Sequence, residues 1–311
     1  MAALICGSLA YDSIMVFEDQ FKNHILPDKV HMLSVSFLVP QMRRDFGGCA
    51  GNIAYNLKML GGDPVPMAAV GQDFGAYEAH LDSLEINRTH VLQVDEFFTA
   101  QAFITTDLDD NQITAFHPGA MSVSHRNKVT DAQGIKLGIV APDGRDAMLQ
   151  HATDFAEAGI PFFFDPGQAM PLFDGEDLKR FIQQATWVTV NDYEAELVKE
   201  RTGWSDQEIA SQVEAYIVTK GADGSDIHTG GETITIEAAK PANIANPTGC
   251  GDAYRAGLLY GLEKGHDWKT TGRIASLIGA IKIENESPQG HSFTMDEFRA
   301  RYEQSFGEAM P

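Results

Sequence analysis

The pattern of apolar and polar positions divides the chain into two kinds of segment. From residue 136 onward, apolar runs of strand length at 137–141, 161–164, 187–190 and 216–219 alternate with helical periods at 145–158, 177–185, 193–201 and 206–212. Alternation of this kind predicts a parallel sheet covered by helices on both faces. Residues 224–236 read as two short strands about a Gly230-Gly231 turn, and three helical stretches, 253–264, 268–283 and 295–304, close the chain. Nearer the N-terminus, 2–9 and 65–70 read as further strands, with helices at 53–60 and 77–84.

Two segments break this pattern. Residues 13–45 mix apolar pairs with charges (Ile14, Val16, Phe17, then Val30, Met32, Leu33, Val35, Phe37, Val39). Residues 98–116 alternate with period two around a turn signal at Asp109-Asp110-Asn111. Both predict strands that leave the main sheet. The resulting division is an α/β core of 1–12, 46–97 and 118–311 with a small β-sheet lid of 13–45 and 98–117. Phe103 and Phe116 fall on either side of the hairpin turn. They are placed either to pack within the hairpin or to sandwich a flat ring.

At 311 residues, 43% hydrophobic and 22% charged, the chain can bury a large core as one domain with an appendage or as two. A net charge of −21 argues against a nucleic-acid or anionic membrane surface as partner, but a phosphate ligand needs only a few local donors. Cys6, Cys49 and Cys250 are odd in number and lack C-x-x-C spacing, which points to neither a disulfide framework nor a zinc site. No apolar run is long enough to span a bilayer, and no basic region precedes the first apolar segment; the cytoplasm is the expected location.

The densest chemistry lies at 246–257, Asn-Pro-Thr-Gly-Cys-Gly-Asp-Ala-Tyr-Arg-Ala-Gly. Gly249 and Gly251 permit a sharp turn and close approach of a ligand, and the N–H groups that open the following helix favour an anion. Asp252 at the same helix end would compete with that anion. The conflict is resolved if the carboxylate faces a hydroxyl nucleophile while the N–H groups hold the phosphoryl group under attack. An ordinary capped helix after a tight turn is the plainer alternative. Asp12, Asp165-Pro166-Gly167-Gln168, Asn191 to Glu194, and Thr219 to Gly224 fall at expected strand ends, the ligand-binding edge of an open α/β sheet. Singly, Asp12 reads equally as a solvated turn residue and Glu194 as a first-turn helix glutamate.

Gly47-Gly48 with Gly51-Asn52, Asn191-x-x-Glu194, Thr219-Lys220-Gly221 and Thr248-Gly249-Cys250-Gly251-Asp252, in that order, resemble the ribokinase-like (PfkB) family of carbohydrate and nucleoside kinases. The resemblance runs from residue 4 through 293, and a Walker-type G-x-x-x-x-G-K-[ST] is absent, as in that family. It implies a ribokinase-like three-layer α/β/α core with a mainly parallel sheet and a small β-sheet lid. It implies ATP and Mg2+ as cofactors. Asp252 would be the catalytic base, with the N–H groups of Gly249, Cys250 and Gly251 forming the anion hole for the transferring phosphoryl. Asn191, Thr219, Gly221 and Gly224 would contact ATP, and Glu194 would hold Mg2+ through water, a mode suited to an ion that dehydrates reluctantly.

On the acceptor side, Ser8, Asp12, Gly48 and Asn52 match positions that bind the sugar, Gln168 a position near the nucleoside, and Phe103 and Phe116 the lid aromatics that stack on adenine. Similarity is greatest to bacterial-type adenosine kinases, which implies transfer to the 5′-hydroxyl of adenosine. Ribose, another sugar, inosine, guanosine and cytidine are alternative acceptors, and a non-catalytic nucleotide-binding protein is the alternative of another class. An oxidoreductase would need G-x-G-x-x-G after the first strand, where the chain reads Gly7-Ser8-Leu9-Ala10. The resemblance also implies a homodimer formed through the lid. It departs at Asn246, where many members carry an acid in a loop that helps bind a monovalent cation, and this leaves K+ open. The tail from Glu286 to His291 matches the closing segment more loosely.

Overall fold

The computed structural model describes residues 2–25, 31–32, 34–109 and 111–311. Val30 and Leu33 of the expected lid strands and Asp110 of the expected turn lie outside them. Among the described residues the main sheet has nine strands: β1 (Ala2–Cys6), β4 (Asp63–Val70), β5 (His90–Gln93), β8 (Ile135–Val140), β9 (Phe162–Phe164), β10 (Trp187–Asn191), β11 (Ala215–Thr219), β12 (Ser225–Thr229) and β13 (Glu232–Ile236). Their order is β13-β12-β11-β10-β9-β8-β1-β4-β5. Pairing is parallel from β5 to β11, and the β12–β13 hairpin adds an antiparallel edge.

Helices cover both faces, so the central strands are apolar on both sides. In β1, Ala3 and Ile5 enter one core layer, which includes residues of α1 (Cys49–Met59), α2 (Gly75–Ser83), α7 (Cys250–Glu263), α8 (Trp268–Ile283) and α9 (Met295–Phe306). Leu4 and Cys6 enter the other, with α3 (Arg145–Ala158), α4 (Gly175–Gln184), α5 (Asp192–Thr202) and α6 (Asp206–Ala210). The three-layer α/β/α architecture is therefore present. No helix among the described residues is long and apolar enough to cross a membrane.

The first apolar run differs from the expected single strand. β1 stops at Cys6, and a second strand, β2 (Ala10–Val16), starts after Leu9 in a separate sheet. Asp12 is thus a residue of that sheet, not of the core strand's end. The small sheet has the order β3-β2-β6-β7, with β3 at Gln41–Gly47, β6 at Ala100–Thr106 and β7 at Gln112–His117. Val35, Phe37 and Val39 are not in a strand; Phe37 instead packs its ring 4.8 Å from Phe17 and 5.0 Å from Phe21. The short edge strand β5 was not anticipated by the apolar pattern, and α1 starts four residues before the expected helix, at Cys49.

Register in the small sheet corrects the idea of a paired aromatic clamp. Phe103 is opposite Ala115 and Ser13, whereas Phe116 is opposite Ala102, which pairs with Asp12. Neighbouring positions on a strand face opposite ways, so Phe103 and Phe116 lie on opposite faces and cannot sandwich one ring within a chain. Phe116 shares the face of Asp12. Phe103 shares the other face with Tyr11, Phe46 and, farther out, Met42 and Ile113.

Two helices that carry the site region cross almost in backbone contact. A Cβ at Gly257 of α7 would overlap the Cα of Ala275 in α8, and one at Gly261 would meet the Thr271 side chain. Gly257→Ala should accordingly destabilise the fold by about 1–3 kcal/mol through overpacking. A urea denaturation midpoint unchanged from the parent chain would refute this account of the crossing.

Candidate active site

The start of α7 supplies unpaired donors. Gly249 caps the helix at φ 82°, a left-handed conformation suited to glycine, and a Cβ there would sit 3.0 Å from Pro288 Cβ. Among the described residues no hydrogen bond occupies the N–H of Gly249, Gly251 or Asp252, as expected where a helix begins. Cys250 is the correction: its N–H closes a turn on the Pro247 carbonyl at 3.1 Å and is not free for an anion. The donors available beside the carboxylate are therefore those of Gly249, Gly251 and Asp252.

Asp252 is held from across the molecule. Asn52 Nδ2 donates to Asp252 Oδ2 at 2.8 Å, and Asn52 Oδ1 accepts from Gln289 Nε2 at 3.0 Å. Gln289 Nε2 also donates to the Tyr77 hydroxyl at 2.8 Å, and its Oε1 lies 3.0 Å from His80 Nε2. Burial raises the Asp252 pKa to about 7; Asp165 adds to the rise, while Asn52 and Arg255 oppose it. A carboxyl poised near neutrality suits proton acceptance from a hydroxyl. Gln289 and Tyr77 were not predicted as site residues, because nothing local in the sequence ties them to Asp252.

Beneath the carboxylate lies a buried ion pair that the sequence reading also missed. Arg255, one helical turn after Asp252, donates from Nε to Asp165 Oδ2 at 2.9 Å and from Nη2 to Asp165 Oδ1 at 3.2 Å. The same Nη2 is 3.9 Å from Glu194 Oε2. Bidentate geometry fixes the guanidinium and ties α7 to the end of β9. An arginine on the buried side of a small-residue helix, three positions from the acid, was the available signal.

Asn191 and Glu194 face each other. Asn191 Oδ1 accepts from the Glu194 N–H at 2.7 Å and Glu194 Oε2 accepts from the Asn191 N–H at 2.8 Å, a reciprocal cap of α5. Glu194 Oε1 carries no hydrogen bond among the described residues. Burial, then Asp165, raises the Glu194 pKa. Thr219 ends β11, where its hydroxyl donates to the Val190 carbonyl at 3.4 Å, and Gly221 opens a one-turn 3₁₀ segment at φ 56° with open space around it. Lys220 turns away to Asp226, Nζ to Oδ2 2.9 Å. Gly224 is a packing requirement: a Cβ would overlap the Ile236 carbonyl oxygen.

At the N-terminus of α1 the glycine-rich turn fits closely against the chain itself. The close approach at Gly48 is that of the chain itself, since a Cβ would fall 2.5 Å from the Ser8 carbonyl oxygen and 2.7 Å from the Ala10 nitrogen. Ser8 Oγ accepts from the Cys49 N–H at 3.1 Å, and its carbonyl accepts from Ala50 at 3.0 Å. Ser8 and Gly48 therefore seat the first turn of α1, whose donors are already occupied. Gly47 makes room for Asp12, whose Oδ2 would be 2.5 Å from a Cβ there. Burial, then Asp45 directly opposite on β3, lifts the Asp12 pKa to about 6. The Tyr77 hydroxyl joins the two carboxylates' surroundings: it donates to the carbonyl of Gly47, the residue packed against Asp12, at 2.8 Å and accepts from Gln289, which also holds Asn52. Gln168 is exposed in the 3₁₀ turn that follows Asp165 and makes no hydrogen bond among the described residues.

The chain matches the pfkB family carbohydrate kinase domain over residues 11–294. A nucleoside kinase of Methanocaldococcus jannaschii is 32% identical over 276 residues, covering 87% of this chain and 89% of that protein. Among solved structures, the Burkholderia thailandensis nucleoside kinase in complex with inosine has 52% identity and a TM-score of 0.90, with 99% of each chain covered. The same kinase in complex with ADP-inosine has 54% identity and a TM-score of 0.88, covering 99% of this chain and 97% of that one. With the family match spanning most of its length and these nucleoside kinases among its relatives, the chain belongs to the pfkB family of carbohydrate kinases as an ATP-dependent phosphotransferase acting on a hydroxyl group.

Proposed function

We propose that this enzyme phosphorylates the ribose 5′-hydroxyl of purine nucleosides, inosine as well as adenosine, using ATP. The observation that carries the reading is the pairing of Asp252, oriented by Asn52 at 2.8 Å, with the unpaired N–H groups at the start of its own helix. Asp252 accepts the hydroxyl proton while Gly249 and Gly251 stabilise charge on the transferring phosphoryl. Arg255, held by Asp165, keeps the helix end in place behind them.

A nucleoside is favoured over a free sugar by the lid face that carries Asp12. Asp12 is an acceptor-only carboxylate suited to a ribose diol, and exposed Phe116 on the same face offers a stacking surface. Stacking on one aromatic contributes roughly 1–3 kcal/mol, enough to separate a nucleoside from ribose. The inosine complex of the B. thailandensis relative supports including inosine beside adenosine. Magnesium would neutralise the phosphates of bound ATP, and Glu194 Oε1, with its neighbour oxygen already fixed to the Asn191 N–H, is the group to hold it through water. Consumption of ATP in the cytoplasm fits this reading. A second copy of the chain covering the lid face of Met42, Phe103 and Ile113, all exposed large apolar residues, is part of the same proposal.

Rates over a panel of adenosine, inosine, guanosine, cytidine and ribose test the acceptor. The purine nucleosides should lead; ribose turned over faster than every nucleoside would overturn the proposal. Asp252→Asn should lower kcat by roughly 10²- to 10⁴-fold with nucleoside binding by calorimetry retained. With its pKa raised to about 7, Asp252 is ionised only toward neutral and alkaline pH, so kcat/KM should rise through about pH 7 and then level.

Stability should run the other way. A carboxyl whose folded pKa exceeds the ordinary value near 3.9 binds its proton more tightly in the folded state, so its contribution is lost as pH rises from about 4 through about 7. Asp252→Asn should therefore melt no lower than the parent at pH 8, and a clear drop in Tm there would contradict the assignment.

A further inference from the structure

We propose that Lys282 serves as a tethered monovalent cation that positions the phosphoryl-binding loop, so that turnover requires no free potassium. The inference rests on reading 249–251 as the anion hole. Lys282 lies in the last turn of α8 and is fully buried. Its Nζ donates to the Asn246 carbonyl at 2.7 Å and to the Asn285 carbonyl at 3.1 Å. No ion pair to a carboxylate accompanies it among the described residues, and its ammonium is held by backbone oxygens, the ligands that a free monovalent cation would use. Isolated burial of such a charge is costly; these carbonyls and the helix C-terminus offset the cost.

The two carbonyls belong to the two segments that frame the anion hole. Asn246 begins the loop that runs through Pro247 and Thr248 to Gly249, and Asn285 begins the segment after α8. That segment brings Pro288 against Gly249 and Gln289 onto Asn52, the residue that orients Asp252. Asn246 is otherwise fully used: its Oδ1 accepts from the Thr248 N–H at 2.9 Å and its Nδ2 donates to the Glu286 carbonyl at 3.0 Å. An aspartate could not make that donation. A free potassium ion here would need the Asn246 and Asn285 oxygens, both engaged by Lys282, and would meet the ammonium charge directly. The residues present do not fit the ion. They fit its replacement by a lysine.

Wild-type phosphorylation of inosine and adenosine should be the same in potassium-free and potassium-containing buffers of equal ionic strength. Lys282→Ala, which leaves space beneath the loop, should lose kcat by roughly tenfold or more with little change in the nucleoside KM, and added potassium or ammonium should restore part of it while lithium does not. Lys282→Met fills the space with an apolar chain and should not be restored by any of these ions. The proposal fails if potassium activates the wild type, or if folded Lys282→Ala keeps full kcat or is not restored. It fails equally if Lys282→Met responds to potassium as Lys282→Ala does. Should both variants fail to fold by circular dichroism, the wild-type response to potassium decides alone. Absence of turnover by the wild type with any acceptor would instead defeat the kinase reading beneath it.

Discussion

The hydrogen bond from Asn52 to Asp252 is the constraint around which the molecule closes. It joins the first turn of α1 to the first turn of α7 across 200 positions of sequence. Each helix reaches that meeting point for a separate reason. Ser8 seats α1 by filling its N-terminal donors, and glycines let α7 approach α8 until Gly257 lies against the Ala275 backbone and Gly261 against the Thr271 side chain. Neither helix end is interchangeable: the first three donors of α1 are spent on Ser8, whereas the N–H groups of Gly251 and Asp252 in α7 carry no hydrogen bond among the described residues. Two glycine-rich turns that look alike in sequence therefore do different physical work.

Charge around Asp252 is arranged so that each group has one task. Arg255 is neutralised by Asp165 in a bidentate pair and contributes position more than attraction. A buried pair of this kind is weak evidence for stability, but removing one partner leaves the other uncompensated and costs roughly 3–5 kcal/mol. Asp252 is left as the carboxyl whose proton is loosely decided at neutral pH. Lys282 stands on the other side of the 246–251 loop, bound to carbonyls alone. Arg255 and Lys282 thus flank this helix end without a hydrogen bond to the Asp252 carboxylate.

The small sheet divides its labour by face. Asp12, Asp45 and Phe116 share one face, whereas Met42, Phe103 and Ile113 share the other. The β6–β7 hairpin thus offers one phenylalanine to each face, Phe116 to the first and Phe103 to the second. The root of the sheet is anchored by Tyr11, whose ring packs 5.8 Å from Tyr77 and 6.1 Å from Phe46.

Much of the core was legible in the sequence because its signals are local. Helical period and caps depend on a few neighbours, and so α3 and α8 fall where the pattern placed them and the Asn191 to Glu194 motif closes as a reciprocal cap. The glycines and Asp252 at the start of α7 were legible for the same reason. Strand pairing and long-range hydrogen bonds were not, since a one-residue change of register reverses every side chain. Tertiary structure alone decided that Phe103 and Phe116 face apart, that Cys250 spends its donor on Pro247, and that Asp165 lies under Arg255. It alone seated Gln289 on Asn52 and set the Lys282 ammonium between two carbonyls 39 residues apart, Asn246 and Asn285. Those contacts join segments distant in sequence, and their energies exist only once the sheet has brought the segments together.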